Sequence, residues 1–296
     1  MWPELQRTAR RELGGLEAMM TEAPGDATRL ARQALQAGAD LVVAVGGDGT
    51  LHEVAAGFFD DAGAPIRPGA AIGLLPYGTG GDFRKTARVP RDTEAALRLL
   101  ATGEARPIDV GHLIYRDAGG ADVSTIFVNI TSFGIGGLVD RNVATTTRLL
   151  GGKMSYFLAT TKAMMGWKNQ HVRVIFDGDE SDFWEMSIRS IAVCNGRYFG
   201  GGMQVAPTAE LDDGQFEVVC LGDMGQLEFM ALSRHIYDGS HLSLPKVKAR
   251  RAHTVEARLL DDNGECLLDV DGEAPGALPA KFRILPRALP FVLPPP

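Results

Sequence analysis

The sequence predicts an α/β domain with a parallel sheet, followed by a mostly antiparallel β-sandwich domain. A length of 296 residues allows two domains rather than one. Short apolar strands alternate with helical patterns up to about residue 107, which is typical of a parallel sheet. From about residue 108, strand-like runs are separated by turn residues, which favours a sandwich. We therefore expect domains at 1–107 and 108–296.

The first domain is predicted element by element from its apolar spacing. Residues from about 3 to 38 have a helical pattern, and an apolar strand follows at 41–45. The further predictions are a helix near 51–60, a buried strand at 71–75 and a helix at about 92–102. Ligands of parallel sheets bind at the carboxyl ends of the strands, so both strands should present their loops at one edge.

The second domain is predicted mainly from β-branched and aromatic runs. These runs cover 125–130, 172–176, 190–194 and 216–220, with helical patterns near 153–166 and 225–237. The proline-rich end, 286–296, is expected to pack along the surface, with the C-terminal tail returning to the first domain.

Composition narrows the function classes. The formal net charge is 30 − 37 = −7, which argues against nucleic acid as the main partner. Cys194, Cys220 and Cys266 are odd in number and far apart, so a reducing cytoplasm is the simplest setting. The sequence has no uncharged apolar run long enough to cross a bilayer, so contact with a membrane would be made from its surface.

The most informative motif is Gly46-Gly47-Asp48-Gly49-Thr50, which lies between the first strand and the next helix. Glycines allow the backbone to approach an anion, and the first N–H groups of the helix point to the same place. This pattern favours phosphate or nucleotide binding; the alternative is a tight turn without a ligand. Asp48 beside a phosphate indicates Mg-nucleotide chemistry, since a carboxylate alone would repel the anion.

Three further motifs carry polar groups. The loop Gly78–Arg84 repeats small residues, a hydroxyl and the carboxylate of Asp82, which could also cap the next helix. The run Asn195–Met203 is glycine-rich, and Asp212-Asp213-Gly214 taken alone is typical of a hairpin. The run Asp271-Gly272-Glu273 ends a strand in carboxylates, for which a solvated turn is the simplest interpretation.

The order of these motifs resembles the diacylglycerol kinase catalytic family, which includes bacterial lipid kinases and sphingosine and ceramide kinases. The resemblance runs from about Thr21 to about Pro290 and implies a NAD kinase/diacylglycerol kinase-like fold. The first motif taken alone is also similar to that of NAD kinases.

The resemblance implies roles for particular residues. The residues implied to surround ATP are Thr21, Gly46, Gly47, Asp48, Gly49, Thr50, Leu51, His52 and Thr79. Asp48 and Asp82 are expected to organise the nucleotide, the metal or the loops, which makes Asp48 a catalytic candidate. A magnesium site is implied at the Asp213 side chain, with the main-chain carbonyls of Glu210 and Gln215. Glu273 matches the family's proposed general base.

The sequence departs from the family pattern at two places. Gly81 stands where the family usually has asparagine in the second loop. Related kinases begin with a strand and an Asn-Pro-x-x-Gly turn, whereas this sequence starts at Met1-Trp2-Pro3, inside the helix that follows. We therefore expect the first strand of the nucleotide domain to be missing.

The function predicted is an ATP- and Mg-dependent lipid kinase that phosphorylates a hydroxyl of diacylglycerol or a related lipid such as sphingosine. The alternatives are an NAD kinase-like enzyme acting on a soluble metabolite and a non-catalytic nucleotide-binding protein. The expected location is the cytoplasm with peripheral membrane association, and a homodimer is the candidate assembly. Candidate membrane contacts are the helical pattern at 153–168 and the strand face of Lys246, Lys248 and Arg250.

Overall fold

The computed structural model describes residues 2–78, 81–138, 167–261 and 264–295. The elements of the first domain are α1 (Trp2–Leu13), α2 (Asp26–Gln36), β1 (Leu41–Gly46), α3 (Asp48–Gly57), β2 (Ala71–Pro76), α4 (Phe83–Thr86) and α5 (Thr93–Thr102). The predicted helix at 3–38 is thus two helices. The first ends where Gly14 takes a φ of 79°, a conformation that a glycine adopts without strain.

Helix α3 starts earlier than the sequence pattern predicts. Its first residue is Asp48 rather than Leu51, and Gly47 is its N-cap residue. An acidic residue in the first turn is favourable because it opposes the positive end of the helix dipole. The glycine loop is therefore a short turn, and Asp48, Gly49 and Thr50 belong to the helix.

The second part of the chain is mostly strands. They are β3 (Glu104–Asp117), β4 (Asp122–Phe127), β5 (Ile130–Gly134), β6 (Gln170–Phe176), β7 (Asp179–Cys194), β8 (Phe216–Gly222), β9 (Val247–Ala252), β10 (Thr254–Leu259), β11 (Leu268–Val270) and β12 (Gly276–Leu293). The helical pattern near 225–237 is confirmed by α6 (Gln226–Asp238). The pattern near 153–166 lies outside the described residues. The run 125–130 is interrupted at Val128 and Asn129, where β4 ends and β5 has not yet begun.

Strand pairing confirms the predicted fold class. Strands β1 and β2 are parallel, with Gly46 opposite Pro76, so both glycine loops leave the sheet at the same edge. The strands of the second part pair antiparallel with one another, as in β5–β7, β6–β7, β7–β8 and β8–β9.

The long strand β12 joins the two parts. It is antiparallel to β3 along most of its length and meets β2 in parallel at Phe291 and Ile72. The prediction that the proline-rich end packs along the surface is wrong for residues 289–293, since Leu289, Phe291 and Leu293 are buried, whereas Pro286 and Arg287 are exposed. A register break between Leu285 and Leu289 accommodates Pro286 without a ladder hydrogen bond.

The two largest of four apolar clusters in the described part of the chain contain its buried phenylalanines. The first packs α2 and α3 against β1 and β2 and includes Phe59, Phe83 and Phe291. The second fills the sandwich with aromatic rings, and the rings of Phe127 and Phe216 stack with centroids 5.6 Å apart. Within the described residues, we find no helix of the length and apolarity that a bilayer crossing requires.

Candidate active site

The two glycine loops touch each other at the carboxyl edge of β1 and β2. The N–H of Tyr77 donates to the carbonyl of Gly46 at 2.9 Å. A Cβ at Gly78 would lie 2.8 Å from the nitrogen of Gly47, and a side chain at Gly46 would run into Thr50. Only glycine fits this close approach, which leaves the backbone open around the N-terminus of α3.

Asp48 ties the second loop to the first. Its carboxylate accepts hydrogen bonds from the backbone N–H groups of Gly81 (2.8 Å), Asp82 (2.9 Å) and Phe83 (3.2 Å). Burial raises the pKa of Asp48, although the N–H groups of Asp82 and Phe83 oppose that effect. Both carboxylate oxygens of Asp48 are thus engaged with the backbone at the start of α4.

Asp82 has a different role from the helix cap that its position predicts. Its side chain makes no capping hydrogen bond to α4, and the first N–H of that helix, at Phe83, donates to Asp48. Instead, its oxygens accept hydrogen bonds from Lys85 Nζ and from the N–H of Gly201, both at 2.7 Å. Asp82 therefore joins the second loop to the glycine-rich turn that follows Asn195.

Asp271 is a second buried carboxylate that organises backbone. It accepts the N–H groups of Val128 (3.0 Å), Asn129 (3.1 Å) and Ile130 (2.9 Å) in the gap between β4 and β5. Its Oδ2 also lies 3.2 Å from Nδ1 of His52 on α3. Asp271 therefore links the sandwich to the helix of the first glycine loop.

His52 is buried beside this carboxylate. Burial alone would lower the pKa of His52, but the hydrogen bond and charge of Asp271 raise it, as do the charges of Glu273 and Glu53. The net direction is upward, which favours the imidazolium form. His52 therefore connects α3 to the acidic turn that contains Asp271 and Glu273.

Glu273 lies over the first glycine loop. Asp271 and Gly272 have φ values of 49° and 95°, which is typical of a type I′ turn, and the turn places Glu273 opposite Val270. A Cβ at Gly49 would lie 3.8 Å from Oε1 of Glu273. Partial burial raises the pKa of Glu273, the charge of His52 lowers it, and Glu53 and Asp271 raise it, with a net upward direction.

Not every predicted nucleotide residue is brought to this point. Gly46, Gly47, Gly49, Thr50 and Leu51 form the turn and the first helical residues beneath Glu273. Thr21 is exposed in the segment that precedes α2. Thr79 lies outside the described residues.

The predicted magnesium residues surround a turn that is already well bonded. Asp213 accepts the N–H of Gln215 at 3.0 Å and forms an ion pair with Arg251 at 3.1 Å. Glu210 is exposed, and its carbonyl belongs to the same turn region. The parts of the chain described here hold no group of three or more His, Cys, Asp or Glu side chains suited to a metal ion.

Sequence reasoning missed several residues of this region. Asp109 is fully buried and accepts the N–H groups of Gly214 and Arg287, both at 2.6 Å. Burial raises the pKa of Asp109, the N–H groups of Arg287 and Gly214 lower it, and the charges of Asp213 and Asp212 raise it, with a net upward direction. The sequence feature that could have identified Asp109 is a carboxylate directly after the apolar residue Ile108. No sequence feature predicts the ion pair between Arg251 and Asp213.

Comparison with known proteins identifies the family to which the chain belongs. The diacylglycerol kinase catalytic domain matches residues 1–113, and the YegS C-terminal NAD kinase beta sandwich-like domain matches residues 129–293. A diacylglycerol kinase of Bacillus subtilis is 28% identical over 275 residues, which cover 93% of this chain and 84% of that protein. A Cronobacter sakazakii protein named "Probable lipid kinase YegS-like" is 34% identical over 199 residues, 67% of this chain, and the match spans 62% of its own length.

A solved structure shows the fold independently. The diacylglycerol kinase of Bacillus anthracis strain Sterne superposes with a TM-score of 0.66 at 20% identity, over 98% of this chain and 92% of that chain.

The fold and the paired glycine loops are thus those of the diacylglycerol kinase and NAD kinase architecture. Within that class, the chain belongs to the diacylglycerol kinase family, a family of lipid kinases.

Proposed function

We propose that this chain transfers the γ-phosphoryl group of ATP to a hydroxyl of diacylglycerol or a related lipid. The observation that carries the proposal is the position of the Glu273 carboxylate, next to Gly49 at the N-terminus of α3. A base and a set of backbone donors for phosphate thereby face the same space.

The residues present fit a nucleotide at the two loops. Gly46 and Gly78 let the two loops approach each other closely at the N-terminus of α3, whose first N–H groups have no side-chain cap and can bind an anion. When bound, ATP would supply the phosphoryl group. Asp48 and Asp82 hold the loops in place through backbone hydrogen bonds. The loops therefore need not change conformation when the nucleotide binds.

Glu273 is suited to the proton transfer that this reaction needs. The hydroxyl oxygen of the lipid forms the new bond to phosphorus, the bond to the ADP oxygen breaks, and the hydroxyl proton passes to the Glu273 carboxylate. The raised pKa makes this carboxylate a stronger base than a glutamate with an unshifted pKa. Activity should therefore fall as the pH falls through that raised pKa, because Glu273 must be ionised to accept the proton.

His52 should set the acid limb of the pH profile. We expect His52→Gln to move the acid limb of kcat/KM to higher pH, because removing the imidazolium takes away a charge that lowers the pKa of Glu273. The measurement is kcat/KM from pH 5 to pH 9. His253→Gln is the control, since that histidine is exposed and its nearest acid, Asp177, belongs to another turn. An unchanged acid limb in His52→Gln would show that the two groups are not coupled.

Magnesium dependence is proposed from the family resemblance and tested at Asp213. The described residues do not form a ready cation site, since Arg251 already compensates Asp213. If Asp213 is a ligand, Asp213→Ala should raise the magnesium concentration for half-maximal activity. Arg251→Gln should lower it, because the freed carboxylate gains affinity for a cation. Identical magnesium titrations for both variants and the parent would remove Asp213 from the metal site.

Peripheral binding to a membrane surface is part of the proposal, because the acceptor is a lipid. The strand face of Lys246, Lys248 and Arg250 supports it less than the sequence suggests. Lys246 bonds Glu228 at 2.8 Å, and Arg250 bonds both oxygens of Asp182, the shorter contact being 2.6 Å. Most of the positive charge on that face is therefore compensated within the protein.

The decisive experiment is transfer of radiolabelled phosphate from ATP, with magnesium, into diacylglycerol, sphingosine, ceramide and monoacylglycerol presented in mixed micelles. Label in one lipid establishes the activity and its acceptor. Label in a soluble acceptor such as NAD, and in no lipid, would favour the NAD kinase-like alternative. ATP binding without transfer to any acceptor would contradict the kinase proposal.

A further inference from the structure

A cavity of about 360 Å³ lies at the C-terminal end of α4, between the first domain and the loop that precedes β8. Three arginines, Arg88, Arg106 and Arg197, are among its lining residues. The volume is within the range of small-molecule sites. It shares Glu210 with the predicted magnesium turn but none of the residues of the two glycine loops.

The three arginines have no carboxylate partner among the described residues. Arg106 donates from Nη2 to the carbonyl of Pro294 at 2.7 Å, and Arg197 donates from Nε to the carbonyl of Ala209 at 2.7 Å. The buried Nε of Arg106 has no hydrogen-bond partner in this part of the chain. The lining thus holds three arginines against two carboxylates, those of Glu210 and Asp212, and this excess of positive charge favours the entry of an anion.

Arg88 is held in an unusual backbone conformation beside the cavity. Its φ is 55°, at the position after the last turn of α4 where glycine is usually found. The N–H of Val89 donates to the carbonyl of Arg84 at 2.9 Å, and the N–H of Arg88 donates to the carbonyl of Lys85 at 3.4 Å, which together form a Schellman motif. An arginine in this position carries backbone strain that a glycine would avoid, and such strain concentrates at functional sites.

The remaining lining residues agree with a phosphoryl ligand. Glu210 and Asp212 also line the cavity, and both are exposed, so water screens their charge more than that of the half-buried Arg106 and Arg197. Their carboxylates can accept a hydrogen bond from the hydroxyl of a protonated phosphate. Guanidinium groups bind phosphate oxygens in pairs, which suits a tetrahedral anion with several oxygens.

We propose that this cavity binds a small soluble phosphoryl anion, such as inorganic phosphate, pyrophosphate or a phosphate monoester, at a site separate from the glycine loops. Arg88 contributes from the end of α4, and Arg197 contributes from the turn after β7, with its N–H bonded to Thr86 Oγ1 at 3.0 Å. An anion between them links the two domains, so its binding stabilises their junction.

The test is calorimetric titration of the full chain with inorganic phosphate and with pyrophosphate, at constant ionic strength and without nucleotide. We expect Arg88→Gln to weaken pyrophosphate binding about tenfold or more, through loss of a charge-assisted contact. Arg98→Gln is the matched control, since that arginine is exposed on α5 and lies outside the cavity lining. Equal affinities for the two variants would overturn the proposal.

A second variant separates binding from folding. Arg88→Gly should keep or raise the unliganded Tm, because glycine adopts positive φ without strain, yet it should lose affinity as Arg88→Gln does. A Tm that falls, together with unchanged affinity, would show that Arg88 has a structural role alone.

Two further arms distinguish the source of the phosphoryl group. Saturation with a non-hydrolysable ATP analogue should leave the pyrophosphate site available, and complete competition would place the anion at the glycine loops instead. Flotation with phosphatidylcholine vesicles, with and without phosphatidic acid, should not depend on Arg88. Arg88-dependent binding to phosphatidic acid without binding of free phosphate would overturn the soluble-anion proposal.

Discussion

Glu273→Gln is expected to lower kcat about 10²–10⁴-fold, which is the usual contribution of a positioned general base. The amide keeps the size of the side chain but cannot accept the hydroxyl proton as a carboxylate does. The turn should survive, because it depends on the backbone bonds between Val270 and Glu273 and on the positive φ of Asp271 and Gly272. ATP affinity should therefore change little, since the glycine loops are untouched.

Steady-state transfer to the accepted lipid and equilibrium binding of ATP together check this prediction. Glu94→Gln is the control, because it makes the same charge change on the exposed first turn of α5. Activity within a few-fold of the parent in Glu273→Gln would exclude Glu273 as the base. Loss of both turnover and ATP binding would instead indicate that the glutamate supports the loop.

The acidic character of the site needs internal compensation. Asp48, Asp82, Asp271 and Glu273 surround the start of α3, and a nucleotide adds further negative charge. The carboxylate oxygens of the first three accept hydrogen bonds from backbone N–H groups or contact the side chains of Lys85 and His52. Of these four residues, only Glu273 is exposed, and its carboxylate lies over the glycine loop. Glu273 is therefore available for proton transfer, whereas the other three hold the structure of the site.

The common edge of the two glycine loops could be predicted because it depends on local patterns. Short apolar strands that alternate with helices imply parallel neighbours, and the register of Gly46 opposite Pro76 agrees with that inference. The helical pattern near 225–237 was equally readable from spacing, as α6 shows. These features need no knowledge of distant residues.

The partners of the buried carboxylates could not be predicted, because they are remote in sequence. Asp271 accepts N–H groups of Val128 to Ile130, and Asp48 on α3 accepts the N–H of Phe83 at the start of α4. The strand formed by the proline-rich end was missed for a related reason. Prolines argue against a central strand unless a register break removes the need for their N–H, and that break depends on pairing with β3.

Asp48→Ala should cost both stability and nucleotide binding. The substitution leaves the N–H groups of Gly81, Asp82 and Phe83 without their acceptor. We expect the free energy of unfolding to fall by about 3 kcal/mol, because these are partly buried hydrogen bonds to a charged group. The second loop would lose its attachment to α3, so ATP affinity should weaken tenfold or more. Amide exchange at Gly81 to Phe83 should accelerate before that of the sheet, because the opening is local.

The matched control is Asp60→Ala, which removes a carboxylate that accepts N–H groups of Ala62 and Ala64 in an exposed turn. Its effect on stability should stay near 1 kcal/mol, with ATP binding unchanged, because water can replace the lost acceptor. Asp48→Asn retains one acceptor oxygen and should fall between the parent and Asp48→Ala. Normal ATP affinity in Asp48→Ala, with slow exchange at Gly81 to Phe83, would show that the second loop holds its position without Asp48.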